Sequence, residues 1–151
     1  MQKKPLVRHP QLQKLSREHH QILVFALRLK KGLANNVDLN RLSSYTKYIL
    51  DGLIIPHIEE EENILLNLLP NTDEKKQILD DHNCFRAYRE KGQFTAVSLA
   101  NLSEKLEQHI RFEERIHFEL IQINNLIIIN QIKWSDDENL SCMTWDDPFW
   151  K

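Results

Sequence analysis

The chain shows one pattern twice, in "GLIIPHIEEEENILLNLL" at residues 52–69 and in "LEQHIRFEERIHFELI" at residues 106–121. Each stretch carries an apolar stripe that is interrupted by a histidine and, four residues later, by a glutamate. The pairs are His57 with Glu61 and His109 with Glu113. Because residues four apart lie on the same face of an α-helix, each pair is predicted to share one helix face. The pattern fits either surface charge beside a core or a metal site inside it.

Length and composition predict one soluble domain over residues 1–151. The 151 residues can bury a sizeable core, and 41% hydrophobic with 28% charged residues is normal for a globular protein. A net charge of −2 with mixed signs gives no basis for a nucleic-acid partner. No apolar run is long enough for a membrane span or a signal peptide, so a cytoplasmic location is expected. Cys84 and Cys142 lack Cys-x-x-Cys spacing, which indicates neither a disulfide framework nor a cysteine metal site.

Apolar spacing predicts an all-α fold. Three glycines and recurring 3-4 apolar intervals favour four amphipathic helices, over about residues 10–33, 38–68, 73–91 and 95–124. Short connections predict an up-down-up-down antiparallel four-helix bundle with its core in residues 10–124. Residues 125–151 are predicted to form a short extra helix and a tail. Pro56 should bend or bulge the second helix just before His57.

Polar residues occupy core positions on all four predicted stripes. The second stripe is Leu42, Ile49, Leu53, His57, Glu61, Ile64 and Leu68, and the fourth is Leu99, Leu102, Leu106, His109, Glu113, Ile116, Leu120 and Ile123. Histidines also stand where an apolar residue is expected on the first and third. The side chains predicted to converge in the core are His19, His57, Glu61, His82, His109 and Glu113.

Burial of these groups favours metal binding. Two isolated buried carboxylates cost several kcal/mol each unless positive charge neutralises them, and no Lys or Arg lies on the stripes. Imidazole and carboxylate without thiolate suit iron, zinc, manganese or nickel. Six ligands are too many for one tetrahedral zinc ion. Two glutamates that each bridge two metals would leave two histidines per metal and an open position for a small molecule.

The order His, His-x-x-x-Glu, His, His-x-x-x-Glu resembles the hemerythrin-like domain, also called the HHE cation-binding domain. The stretches that carry the resemblance to its bacterial branch are "RHPQLQKLSREHHQILVFALRLKKGL", "HIEEEE", "ILDDHNCFR" and "HIRFEER", within residues 8–121, and the ending "TWDDPFW". The resemblance implies a four-helix bundle with a non-haem di-iron centre and an oxo or hydroxo bridge, with zinc or manganese as substitutes. It also implies four terminal histidine ligands and two bridging glutamates: His19, His57, His82 and His109, with Glu61 and Glu113.

One position departs from the oxygen-carrying hemerythrins, which have a second histidine four residues after the one on the third helix. Arg86 occupies that position. A cation cannot ligate a metal, so one metal would be less saturated, and reversible oxygen carriage is put in doubt. Arg86 is expected to reach outward or to pair with an acid such as Asp81.

Several neighbours are predicted to lie around the ligands. His20 sits about 100° from the His19 stripe and is assigned to its flank. Glu60 and Glu62 are expected to be solvated, although Glu60 is an alternative ligand at the position that Arg86 leaves. Tyr45 or Tyr88 is a candidate hydrogen-bond partner for a ligand histidine.

Glu114 and His117 form the one Glu-x-x-His of the chain. Ferritin-like di-iron bundles need two such motifs, so iron storage of that type is disfavoured and Glu114 is expected to be exposed. The aromatic tail is expected to fold back over the bundle, with a homodimer through it as the alternative.

The function expected from these features is that of a di-iron protein that binds or senses a small oxidant (dioxygen, nitric oxide or peroxide) or buffers iron. A binding protein is favoured over a catalyst. The alternatives are a di-iron redox enzyme acting on peroxide or nitric oxide, and a helical interaction module whose site holds zinc or is empty.

Overall fold

The computed structural model describes residues 8–134 and 144–151, and every regular element in these ranges is helical. The α-helices are α1 Pro10–Ala34, α2 Leu39–Ile49, α3 Ile55–Glu60, α4 Asp73–Lys91, α5 Ala96–Phe112, α6 Phe118–Asn124 and α7 Leu126–Asn130. Among the described residues, none of the helices combines the length and apolar character that a membrane crossing requires.

Wider π-helical turns join some of these helices into longer stretches. The π segment Leu50–Ile54 connects α2 to α3, and a second one, Glu61–Leu65, follows α3 and leads into the 3-10 turn Leu66–Leu68. A third π segment, Glu113–His117, connects α5 to α6. The described chain therefore has four long helical stretches, namely α1, residues 39–68, α4 and residues 96–124, close to the predicted ranges.

Local sequence explains where these stretches begin and bend. The Asp38 side chain accepts a hydrogen bond from the backbone N–H of Asn40, which caps α2. A reciprocal pair of hydrogen bonds between Thr95 and Ser98 caps α5. The first π segment ends at Ile54, two residues before Pro56, so the predicted bulge before His57 is confirmed.

Two apolar clusters form the core. One is centred on α1, α2 and α5 and includes Phe25, Tyr45, Phe85, Leu99 and Leu106. The other includes Leu12, Leu15, Leu65, Ile78 and Phe118. The histidine and glutamate positions lie between the clusters along every long stretch: on α1, for example, His19 separates Leu15 from Ile22. Consecutive stretches run between the clusters in alternating directions.

The second and fourth predicted stripes are correct up to their glutamates and wrong beyond them. Ile64 is half-buried and Leu68 is exposed, whereas Leu65, Leu66 and Leu69 are buried. On the last long stretch Ile116, Leu120 and Ile123 are exposed, and His117, Phe118 and Ile121 are buried instead. The cause is the π segment that begins at each glutamate. It inserts an extra residue into the turn and so shifts the buried positions by one residue.

The described part of the tail, residues 144–151, packs against α1 and α2. Trp145, Phe149 and Trp150 surround the buried ring of Tyr45. The guanidinium of Arg41 donates two hydrogen bonds to the Asp147 carboxylate, at 2.7 and 2.6 Å. The predicted short extra helix corresponds to α7, while Cys142 lies outside the described residues.

Candidate metal centre

The six predicted ligands are buried side chains that meet in the layer between the two apolar clusters. Each has 4% or less of its surface exposed. They form two groups whose ligand atoms lie close enough to hold one metal ion each: His19, His57 and Glu61, and His82, His109 and Glu113.

The first group is organised around one oxygen of Glu61. Glu61 Oε2 lies 3.3 Å from His57 Nε2 and 3.8 Å from His19 Nε2. The two imidazole rings meet edge to face with their centroids 4.8 Å apart. Ligands bonded to one ion at about 2.0–2.2 Å stand roughly 3–3.5 Å from each other. The first group therefore has nearly the spacing that a single ion requires.

The second group repeats this arrangement around Glu113. Glu113 Oε1 lies 2.5 Å from His109 Nε2 and 3.7 Å from His82 Nε2. Each glutamate also reaches the other group with its second oxygen. Glu113 Oε2 is 3.6 Å from His19 Nε2, and Glu61 Oε1 is 3.6 Å from His82 Nε2. Both carboxylates thus span the two groups.

The inward-facing atoms of the centre have no hydrogen bonds. They are Nε2 of His19, His57, His82 and His109 and both carboxylate oxygens of Glu61 and Glu113, all buried. Buried polar atoms are normally satisfied, and an unsatisfied one costs about 1–3 kcal/mol. Eight such atoms that face one another fit cations between them. The donor set therefore suits metal binding.

Each of the four histidines is oriented by a further carboxylate on the outer side of its ring. The Nδ1–oxygen pairs are His19 with Glu114 (2.8 Å), His57 with Glu18 (2.7 Å), His82 with Glu62 (2.8 Å) and His109 with Asp81 (2.9 Å). An ionised carboxylate only accepts hydrogen bonds, so Nδ1 donates in every pair. In the neutral ring the lone pair then lies on Nε2, which faces inward, as a metal ligand requires.

A basic side chain balances each of these outer carboxylates. The ion pairs are Arg8 with Glu114 (3.1 Å), Lys14 with Glu18 (3.7 Å), Arg86 with Glu62 (2.8 Å) and Lys105 with Asp81 (2.8 Å). The two central glutamates differ, because every ion pair described for Glu61 and Glu113 is with an imidazole. The centre therefore holds negative charge that only protons or metal ions can neutralise.

The pKa values of His57, His82 and Glu113 are shifted in the directions that place positive charge on the imidazoles. Burial lowers the pKa of His57, but the hydrogen bond with Glu18 and the negative charge of Glu61 outweigh it and raise that pKa to about 10. Burial also lowers the pKa of His82, but the negative charge of Glu113 and the hydrogen bond with Glu62 outweigh it and raise that pKa to about 9. For Glu113, burial raises the pKa, but the neighbouring histidines hold it well below its usual range. The metal-free centre thus favours protonated imidazoles beside an ionised Glu113.

The residues predicted to lie around the ligands have different partners in the structure. Arg86 pairs with Glu62 rather than with Asp81, and so acts on His82 through that carboxylate. Glu60 pairs with Lys14 at 2.5 Å. His20 is exposed and lines a surface cleft with Arg17.

The two tyrosines are engaged elsewhere. The hydroxyl of Tyr45 accepts a hydrogen bond from Arg28, and that of Tyr88 donates one to the backbone oxygen of Ser98. No hydrogen bond to a ligand histidine is described for either tyrosine.

Sequence reasoning missed the outer carboxylates. Glu114 and Glu62 were expected to be solvated, but their side chains are only 23% and 22% exposed and accept hydrogen bonds from ligand histidines. Glu18 is buried beside His57. A usable signal for Glu18 was the Lys14 four residues earlier, because a buried carboxylate needs a cation nearby.

His117 is the fifth histidine in this part of the protein. It is 4% exposed, and its Nδ1 is buried without a hydrogen bond. Burial lowers its pKa, against the opposing influence of Glu113, Glu61 and Glu74. The π segment places His117 inside, where the predicted stripe had Ile116.

Comparison with protein-family models, curated proteins and solved structures gave no match to this chain. The geometry by itself shows two adjoining histidine and glutamate groups that can each hold a metal ion.

Proposed function

We propose that the chain is a hemerythrin-like protein that holds two iron ions and binds a small oxidant such as dioxygen, nitric oxide or peroxide. One observation carries the proposal: Glu61 and Glu113 each turn one oxygen to each pair of histidines. This is the arrangement expected of two carboxylates that bridge two metal ions, each with two terminal imidazoles.

The helical arrangement supports an up-down-up-down four-helix bundle. Consecutive long stretches run between the apolar clusters in opposite directions, and α1 packs chiefly along α5. Di-metal sites in bundles are built from side chains that project inward from facing helices. The six ligands come from all four stretches, which agrees with that plan.

Side chains around the site would orient the metal ligands, supply negative charge and exclude bulk water. Iron bound there would supply coordination positions and electrons for binding a small oxidant. The outer carboxylates fix each imidazole with Nε2 inward, and the hydrogen bonds from the histidines together with the cations beyond lower the pKa of these carboxylates. Phe118 stacks on His19, and Phe85 packs edge-on against His109, which keeps bulk water from the rings.

Iron is favoured over a single zinc ion by the number and type of ligands. Structural zinc normally takes four ligands, often with thiolate, whereas this centre offers six with none. Two divalent ions would exceed the charge of Glu61 and Glu113, so a further anionic ligand such as hydroxide fits the site. Manganese and zinc remain the substitutes to compare.

The test is iron loading of the metal-free protein without oxygen, followed by exposure to nitric oxide and then to dioxygen. We expect about two irons per chain and an absorption change that reverses when the gas is removed. His57→Leu should abolish both results, and His20→Leu should leave both intact. Sustained consumption of nitric oxide or peroxide would instead assign a redox enzyme. Failure to take up iron under conditions where zinc binds would contradict the proposal.

A further inference from the structure

A surface cleft leads from solvent to the buried ring of His117. It has a volume of about 220 Å³ and lies between residues 69–74 and α6. Its walls include Leu69, Thr72 and Glu74 on one side and His117, Leu120 and Asn124 on the other. Since one water occupies about 30 Å³, the cleft accommodates a diatomic molecule together with several waters. We call it the α6 cleft.

His117 lines this cleft and lies on the same π segment as Glu113 of the metal centre. Its ring is within electrostatic range of Glu113, Glu61 and His109 of the centre, and of Glu74 in the cleft wall. The buried Nδ1 has no hydrogen-bond partner, in contrast to Nδ1 of the four ligand histidines. A buried polar atom without a partner indicates a place where an arriving molecule gains a hydrogen bond.

The helix geometry ties His117 to the centre. His117 is the last residue of the π segment that begins at Glu113, and the backbone N–H of Phe118 bonds to the Glu113 oxygen five residues back. In an unbroken α-helix the inward position would fall to Ile116. The same wide turn that follows a predicted metal ligand therefore also brings this imidazole inward.

We propose that the α6 cleft is the entrance by which a small neutral ligand reaches the metal centre, and that His117 receives it at the inner end by a hydrogen bond. This inference rests on the proposed function. The carboxylate of Glu74 in the cleft wall disfavours anions, so the ligand class is a neutral diatomic molecule rather than a small anion.

Nitric oxide and the iron(II)-loaded protein provide the probe, with association and dissociation followed by rapid-mixing absorption spectroscopy. Leu120→Trp places a large ring in the cleft from a position that is already 36% exposed, so the fold should tolerate it. A blocked entrance slows association and dissociation by the same factor and leaves the dissociation constant unchanged. The matched control is Ile123→Trp, which alters the same helix at a residue 66% exposed that does not line the cleft. Asn124→Trp is a second cleft variant with the same expected slowing.

His117→Phe tests the hydrogen bond, because it keeps a ring in place and removes Nδ1. Loss of one hydrogen bond should weaken nitric oxide binding about tenfold, mainly through faster dissociation, with iron content unchanged. His20→Phe serves as the exposed control.

If the wild type holds two irons and binds nitric oxide but both cleft variants have unchanged rates, the α6 cleft is not the entrance. That result would leave the proposed metal centre unaffected. Unchanged affinity in His117→Phe would overturn the role of that residue. A wild-type chain that takes up no iron would overturn both the entrance and the proposed function.

Discussion

Glu61 and Glu113 are structurally equivalent: each lies four residues after a buried histidine and is the first residue of a π-helical segment. The backbone oxygen of Glu61 accepts from Leu66 N–H, and that of Glu113 accepts from Phe118 N–H, in both cases five residues on. Both carboxylates are fully buried and lack hydrogen bonds. In proteins generally, π segments are frequent at functional sites, and here two of them begin at the glutamates of the candidate metal centre.

The outer carboxylates should control metal affinity. Glu18→Gln removes the charge that orients His57, whose Nδ1 lies 2.7 Å from Glu18. Loss of such a partner weakens metal binding about 10–100-fold, and we expect that range in a competition titration with a chelator of known affinity. Glu59→Gln is the matched control, since Glu59 is exposed on the neighbouring helix. Equal affinities in the two variants would contradict this role for Glu18.

Neighbouring histidines on α1 should differ sharply in their effect. His19→Ala removes one of the two imidazoles of the first group, whereas His20 is exposed. Elemental analysis of His19→Ala should show a clear loss of bound metal and a lower melting temperature after metal loading. His20→Ala should match the wild type in both measurements. The reverse result would mean that the helical phase of α1 is wrong.

Stability of the metal-free protein should fall as pH rises. The ordinary pKa of histidine is 6.5, and in the fold it is raised to about 10 for His57 and to about 9 for His82. The folded state therefore binds more protons than the unfolded state between these values. The contribution of these two histidines to the free energy of unfolding is fully present below about pH 6.5 and is lost as pH rises through about 9–10.

Urea denaturation of chelator-treated protein at about pH 6.5 and about pH 9.5 measures this dependence. His57→Leu should flatten it, because one of the raised groups is gone. Metal affinity should change in the opposite direction and increase with pH, since protons compete for the same Nε2 atoms. A metal-free protein that is more stable at the higher pH would contradict the assignment.

Gly32 allows α1, α2 and the tail to approach closely. A Cβ at this position would lie 2.5 Å from Leu42 Cδ2 and 2.7 Å from Phe149 Cε2. Gly32→Ala should therefore lower the free energy of unfolding by about 1–3 kcal/mol. In a double-mutant cycle by urea denaturation, Phe149→Ala should cost less in the Gly32→Ala background than in the wild type. Additive effects would indicate that the tail does not pack at Gly32.

The sequence was sufficient to predict the helical stretches and the residues that meet between them. A histidine or glutamate on an otherwise apolar stripe is conspicuous, because burial of such a group demands a partner. Which residues are buried beyond Glu61 and Glu113 could not be predicted, since the stripes were drawn for a helix with about 3.6 residues per turn throughout. The buried apolar residues Leu65 and Ile121, each one position off the predicted stripe, carried a local sign of the change.

The outer carboxylates and cations were harder to predict for a different reason. Glu114 and Glu62 directly follow the central glutamates and look like a continuation of a charged surface. Their cations Arg8 and Arg86 come from other helices or from the chain before α1. Long flexible side chains reach such partners across the fold, and helical periodicity on one stretch contains no information about that distance.

The proposed function requires Glu61 and Glu113 to bridge two metal ions in the layer between the apolar clusters. Anomalous X-ray diffraction from crystals of the iron-loaded protein locates bound iron and identifies its ligands. We expect two iron peaks per chain, each next to two Nε2 atoms and to one oxygen of each glutamate. Crystals of protein incubated with iron that show no peak between these carboxylates, or iron bound only at other residues, would contradict the proposed function.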